Sequence, residues 1–486
     1  MKRITIDPIT RLEGHGRIEI FLDEGGEVDD VFFQVPELRG FEKFCQGRPV
    51  WELAAIVARI CGVCPGAHHM AAGKAIDAVY QVEPTPTANT LRELFYSAHF
   101  IHSHIAHFYA LAAPDFVVGP TADRAQRNVL GLVQKVGLEL GGAVIAHRKI
   151  AQDIQATLAG SATHPSWTVP GGVSKGITED ERRKILEGAR SCLEFAKTSV
   201  KLFDDVVLKN KAYVDLIMSD PYTLTTHYMG LVDGMNRVAF YDGQVRIVDT
   251  EGREIVKYHP RDYLQHIGEH VEPWSYLKFP YLKTKGWKGF VDGKESGVYQ
   301  AAPLARLNAA DGMATALAQA EYERFFSTLG GRPVHATLAA HWARIVELLY
   351  AAERAVELAG DPEVASRDIR RIPDAVPCEG VGTVEAPRGT LTHHYKTDER
   401  GLVTDVNLIV GTTNNHAPIC MSIKKAARGV IKRGENVTDG ALNMIEMAFR
   451  AYDPCFSCAT HSLPGQMPLE VVVRERDGTV VQQVKR

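Results

Sequence analysis

The sequence predicts an α+β fold in which helices predominate, and three features carry that reading. Long Ala/Leu-rich stretches at about 88–113, 121–158 and 178–209 have the length and apolar spacing of helices packed side by side. Short β-branched runs lie outside them and do not alternate with helices one for one, which argues against a regular βαβ winding. With 45% hydrophobic and 23% charged residues the chain also has enough apolar surface for a packed interior, so disordered and low-complexity classes are excluded.

Taken in order, residues 16–35 place two alternating runs around Asp23-Glu24-Gly25-Gly26, which reads as a hairpin. Leu53, Ile56, Val57 and Ile60 keep the 3.6-residue period, so a helix delivers Arg59-Ile60-Cys61-Gly62-Val63-Cys64 at its end. Pro65 then suits the first turn of the next helix. The three long stretches follow as a central bundle, separated by turns such as Pro114-Asp115 and Pro170-Gly171-Gly172. Asp242-Gly243 and Glu251-Gly252 divide 237–257 into a two-turn meander, and the region to about 300 is aromatic and irregular. Helices are expected at 310–328 and 337–360, strands across 380–411, helices at 417–433 and 437–451, and a final hairpin within 462–486. No internal repeat or long linker is visible; length alone allows about three cores or one large interwoven domain.

Charge names no partner. The 55 Lys+Arg against 59 Asp+Glu leave −4, so no global field recruits nucleic acid or an anionic membrane. No apolar run reaches the ~18 residues of a membrane span, and the first residues lack the hydrophobic segment of an export signal. A cytoplasmic location is expected, although a chain without a signal can be exported with a partner that has one. The eight cysteines, at 45, 61, 64, 192, 378, 420, 455 and 458, are too sparse for a disulfide-stapled secreted protein, so reduced thiols and metal ligation are the better reading.

Cys61-Gly-Val-Cys64 and Cys455-Phe-Ser-Cys458 each carry the step that lets two thiolates converge on one ion. Thiolates are soft donors for zinc, iron–sulfur clusters, copper(I), nickel or iron. A zinc ribbon usually holds its pairs ~15–20 residues apart, far closer than these, and a redox dithiol lacks its βαβ setting. The flanks are more specific: RICGVCPGAHH around the first pair and DPCFSCATH around the second. With RLEGHGRIEI at 11–20, ELRGFEKF at 37–44, GTVEAPRGTLTHHY at 382–395 and NLIVGTTNN at 407–415, the chain resembles the large, catalytic subunit of nickel–iron hydrogenases, from about residue 7 to His461. The flavour of QVPELRGFEKF and DPCFSCATH is similar to the cytoplasmic bidirectional branch.

That resemblance implies a single interwoven domain over 1–461 and an extension, 462–486, which a maturation endopeptidase removes after nickel insertion. It implies a nickel held by Cys61 and Cys455 as terminal ligands, with Cys64 and Cys458 bridging to an iron that carries carbon monoxide and cyanide. Metal-polarised H2 gives up a proton to a nearby base. Cys455 is the expected first acceptor, since Arg388 stays protonated in proteins, and Glu13 is the expected gateway for proton exit. Arg388 and Thr412, with Pro387 beside them, are expected at the diatomic ligands; His68 at a cysteine sulfur; Asp115 and Asp453 near Arg388. Mg²⁺, or Fe²⁺, is expected at Glu42, the Leu408 carbonyl and His461.

No ferredoxin-type cysteine run is present to receive electrons. The resemblance therefore implies a partner, an iron–sulfur small subunit, with further diaphorase or electron-transfer subunits beyond it. The alternative readings are an H2 sensor or a complex-I-like coupling subunit of the same fold; coupling subunits have lost the cysteines that stand here. His99, His102, His104 and His107 spread around a helix and are expected in structural or surface roles. Gly380-Val-Gly382 lacks the third glycine of a dinucleotide fingerprint. Cys45, Cys192, Cys378 and Cys420 read as core thiols.

Overall fold

The computed structural model describes residues 2–6, 10–35, 38–433 and 437–457, together with the strand backbone of 470–474 and 480–485. Cys458 and His461 therefore lie outside the described residues. Helices make up 49% of the chain, as the sequence predicts for a mainly helical α+β fold.

The chain opens with the antiparallel sheet β1 (Lys2–Ile6), β2 (Arg17–Leu22) and β3 (Val28–Gln34). The predicted hairpin joins β2 to β3, with the Asp23 carboxylate accepting the Glu27 N–H to close the turn. Two short helices, α1 (Phe41–Cys45) and α2 (Leu53–Val57), lead through a tight turn to Cys61, and α3 (Pro65–Val79) begins on the expected proline. Helix α4 (Pro86–Ala106) starts where Thr85 accepts the Ala88 N–H, then widens into π turns at 107–112 and 114–118.

The single helix expected over 121–158 is instead two, α5 (Val129–Val136) and α6 (Leu138–Ala159). Gly137 between them takes φ 89°, a conformation helices do not use, and Asn128 caps α5 by accepting the Gly131 N–H. The short ladder of β4 (Thr168–Val169) and β5 (Gly172–Val173) precedes α7 (Glu179–Phe203), which starts on a Thr178/Glu181 capping box, and α8 (Lys211–Ile217).

The meander appears as β6 (His227–Val232), β7 (Gln244–Val248) and β8 (Glu254–Tyr258). After α9 (Tyr263–His266), the hairpin of β9 (Ile267–Val271) and β10 (Lys278–Leu282) occupies a segment read as irregular. Its sequence gives little alternation because Trp274, Phe279, Trp287 and Phe290 pack as one aromatic cluster spread over strands and loops. Strand β11 (Tyr299–Gln300) adds to β6 in parallel. Then come α10 (Pro303–Ala309), α11 (Ala316–Thr328) and α12 (Ala340–Gly360). The antiparallel sheet β12 (Glu379–Ala386), β13 (Gly389–Thr397) and β14 (Val403–Ile409) follows, and then α13 (His416–Val430) and α14 (Asp439–Arg450). The tail pairs β15 (Glu470–Arg474) with β16 (Val480–Lys485), as the sequence predicts.

Helices α4, α6, α7 and α12 form the central bundle. Helix α12 is buried from Ala340 to Ala352 on every face, and each of its fully buried Leu or Ile side chains contributes roughly 1.5–3 kcal/mol. One apolar core runs from Cys45 to Cys455 and so joins both ends of the chain. Helix α3 lies directly on β12: a Cβ at Gly382 would stand 2.1 Å from the Ala71 carbonyl oxygen, and one at Gly380 would stand 2.4 Å from that of Ala75. The Gly-Val-Gly stretch is thus a packing surface for a helix. Among the described residues no helix is long and apolar enough to cross a membrane.

Candidate metal centre

The tight turn after α2 releases Cys61 in an extended conformation, and the Val63 and Cys64 N–H groups donate back to its Sγ at 3.2 and 3.3 Å. Such donors favour a thiolate over a thiol. Cys64 sits at the N-terminal boundary of α3, where the helix dipole adds to the effect. From the other end of the chain, α14 runs out at Arg450 and the Asp453-Pro454 turn presents Cys455. Asp453 holds φ 53°, a left-handed conformation that Asp tolerates better than most side chains. The Cys61 and Cys455 sulfurs stand 3.2 Å apart, and the sulfurs of Cys61, Cys64 and Cys455 all lie within 4.8 Å of one another in a buried setting.

The Arg11-Leu12-Glu13-Gly14 segment wraps this turn. Glu13 bridges to Cys455 in parallel, its carbonyl accepts the Phe456 N–H at 3.0 Å, and its carboxylate takes the Cys455 thiol at 2.9 Å and the Ser457 N–H at 3.2 Å. Gly14 makes the approach possible: at φ +86°, a Cβ there would meet the Ser457 nitrogen at 2.9 Å. Read in isolation, Glu13 is a surface turn residue; the structure shows it half-buried against a sulfur.

Arg388 enters from the β12–β13 turn. It is 4% exposed and faces Asp453 at 3.2 Å, while its Nε and Nη1 have no hydrogen-bond partner among the described residues. Burial works against its charge, but Asp453 and the sulfurs of Cys64, Cys455 and Cys61 hold its pKa well above the ordinary value. Burial pushes Asp453 up, with Arg388 and Arg344 opposing. The Thr412 hydroxyl accepts the Cys455 N–H at 3.0 Å, which leaves its hydrogen free to donate. His68, Cys64, Cys455, Arg388 and Thr412 line one small cavity. Burial lowers the His68 pKa to about 4 despite the Cys61 sulfur.

Asp115 is placed differently from expectation. It pairs with Arg11 and Arg450 and accepts from Asn443 at 3.0 Å, with Arg388 not among its partners. The π turn at 114–118 turns it toward α14. The Glu42 carboxylate accepts the Leu408 N–H at 2.8 Å, and Lys278 lies 3.8 Å away; burial, opposed by Lys278, raises Glu42 to about 7. The four α4-region histidines are all buried: His104 bonds Glu347, His107 the Arg450 carbonyl and His102 Arg148. Cys45, Cys192 and Cys420 are core thiols as expected, whereas Cys378 is exposed, because it lies just before the outer end of β12.

Sequence reading missed the buried support behind Arg388. Arg306 binds Glu347 at 2.6 Å and Glu385 at 2.8 Å, and donates to the carbonyls of Ala386 and Pro387 at 2.8 and 3.3 Å. Arg344 and Glu347, charged positions inside the otherwise apolar run of α12, were the available signal.

A donor set of converging buried thiols, with an unpartnered buried guanidinium edge beside it, fits a soft-metal centre with anionic ligands. Comparison with known proteins agrees. The family model described as nickel-dependent hydrogenase matches residues 39–137 and 230–461, and one described as HoxL-like matches 3–38. The chain belongs to the nickel-dependent hydrogenase family. A relative from Archaeoglobus profundus, an iron-sulfur subunit of the F420-non-reducing hydrogenase, is 50% identical over the whole of both chains. The NAD-reducing hydrogenase HoxS subunit beta of Cupriavidus necator is 39% identical, again over the whole of both. A solved NAD+-reducing [NiFe]-hydrogenase in the H2-reduced state superposes with a TM-score of 0.88 at 38% identity, covering 95% of this hydrogenase chain and all of its own. This hydrogenase chain is accordingly the catalytic large subunit of a nickel–iron enzyme.

Proposed function

We propose that Cys61 and Cys455 are terminal nickel ligands and that Cys64 and Cys458 bridge to an iron bearing carbon monoxide and cyanide, at which H2 is cleaved reversibly into protons and electrons. The observation that carries this is the convergence of three buried sulfurs from opposite ends of the chain. When bound, the metal pair polarises H2 enough for a weak base to deprotonate it. Cys455 Sγ takes that proton and passes it to the Glu13 carboxylate, 2.9 Å away. Arg388 holds positive charge over the site through its free Nε and Nη1, with Asp453 anchoring its Nη2. Thr412 supplies a second donor, Pro387 an apolar wall, and His68 a contact to sulfur. Asp115 acts at one remove, by holding Arg11 beside Glu13.

Glu42, the Leu408 carbonyl and His461 are our candidates for a Mg²⁺ or Fe²⁺ site, supported by the meeting of Glu42 with Leu408. Residues 1–461 are read as one unit and 462–486 as a segment removed by a maturation endopeptidase, supported by the family match that stops at 461. Intact-mass measurement of nickel-loaded enzyme should end at His461. Electrons leave first to an iron–sulfur small subunit, then to diaphorase or other electron-transfer subunits; both relatives carry subunit names, which supports a multi-subunit complex. A cysteine content too sparse for disulfide stapling favours a cytoplasmic complex.

Metal analysis with infrared spectroscopy of the purified complex tests the proposal. Nickel, iron and the bands of metal-bound carbon monoxide and cyanide are expected, with H2 uptake to a dye. Zinc alone without uptake would end it, and bands without turnover would favour a sensor.

A further inference from the structure

Strand β13 divides His393-His394-Tyr395 between its two faces. His394 bonds the Tyr263 hydroxyl at 2.9 Å and Glu379 at 2.6 Å on one side. His393 and Tyr395 share the other: the Tyr395 hydroxyl lies 2.6 Å from His393 Nδ1, and His393 Nε2 lies 3.1 Å from His68 Nδ1 on α3. The side chains of His68, His393 and Tyr395 are fully buried.

The direction of donation along this chain is set by its far end. Among the described residues, the Tyr395 hydroxyl has no hydrogen-bond partner other than His393 Nδ1. A buried hydroxyl hydrogen with no acceptor keeps its full desolvation penalty, so Tyr395 donates and Nδ1 accepts. His393 then carries a proton on Nε2 and gives it to His68 Nδ1, and His68 in turn carries its own on Nε2. The reversed chain strands the tyrosine hydrogen and turns His68 Nε2 into an acceptor in a cavity walled by cysteine sulfurs.

We propose that Tyr395 is a positioning residue which, through His393, fixes the tautomer in which His68 presents an N–H to the cysteine sulfurs. An N–H directed at a metal-bound thiolate withdraws electron density from it and so tunes the metal, without moving a proton itself. The inference rests on the thiolate–metal reading above.

The test compares Tyr395→Phe with Tyr395→Phe/His393→Gln in the metal-loaded complex. In the single variant His393 is free to reverse, so His68 loses its fixed N–H. Sulfur then donates more strongly, the carbon monoxide and cyanide bands move to lower wavenumber, and uptake falls about 10-fold, while nickel and iron stay bound. A glutamine at 393 carries an NH2 that offers His68 a donor without help from a tyrosine, so the double variant returns the bands toward the wild-type position. Should the single variant lose metal, recovery of metal in the double variant supports the relay and failure to recover overturns it. Unmoved bands in a metal-replete single variant overturn the relay alone. Absence of the bands in wild-type enzyme overturns the relay together with the centre it serves.

Discussion

The Glu13 carboxylate accepts a hydrogen bond from the Cys455 thiol at 2.9 Å, across 442 positions of sequence. A carboxylate so placed is the first group able to take a proton from that sulfur. Glu13→Gln keeps the shape and the Ser457 N–H contact but loses the exchangeable site. We expect nickel and iron contents to be unchanged and both H2 uptake and H2/D2O exchange to fall at least about 100-fold. Exchange at wild-type rate in the variant would mean that protons leave by another route.

Arg388→Lys tests the guanidinium edge. Lysine keeps the charge but not the fixed fork that reaches Asp453 and the cavity together. Turnover should fall by about 10–100-fold with metal retained. Removing the partner instead, in Asp453→Ala, takes away the carboxylate that faces a buried cation and should destabilise the protein by about 3 kcal/mol in denaturant unfolding.

Gly382→Ala tests the platform under α3. A methyl group there would face the Ala71 carbonyl at 2.1 Å and the Ala75 nitrogen at 2.3 Å, both backbone atoms that cannot rotate away. A loss of about 3 kcal/mol is expected, with lower nickel occupancy, because the same helix carries His68 and is entered from Cys64. A wild-type melting temperature would show that α3 does not depend on this contact.

How far the sequence anticipates the structure depends on how local each determinant is. The Cys61–Cys64 turn, the proline opening α3 and the β2–β3 hairpin follow from neighbouring residues, and all are found where expected. Asp115 shows where that reading stops: its partners, Arg11, Asn443 and Arg450, come from distant segments, and no spacing rule links them. The Arg306–Glu347–Glu385 cluster and the Tyr395–His393–His68 chain are likewise created by packing α3, α10 and α12 against β12 and β13. Gly380 and Gly382 are legible only as a negative, too few glycines for a nucleotide, until the helix resting on them is seen.

Acid should unfold the protein in a definite window. His69 donates from Nδ1 to the Ala54 carbonyl at 2.9 Å and accepts at Nε2 from the Thr168 N–H and hydroxyl, so its ring must stay neutral. Burial, opposed by the Ala54 bond, lowers its pKa from 6.5 to about 4. The unfolded chain therefore binds the proton first as pH falls. Stability is complete above about 6.5 and declines by roughly 3 kcal/mol toward pH 4 on account of this residue alone. His69→Gln should reduce the proton uptake on unfolding by about one in that window, read from denaturant midpoints against pH; an unchanged slope would refute the assignment.

The account stands on one claim, that thiols from the two ends of the chain share a single nickel. X-ray absorption at the nickel edge tests it most directly, on the wild-type complex and on Cys61→Ser and Cys455→Ser. A first shell of sulfur in the wild type, with both substitutions either expelling nickel or replacing a sulfur by a lighter atom in that same shell, is the result predicted. A nickel bound by nitrogen and oxygen, with a spectrum that neither substitution alters, would contradict it.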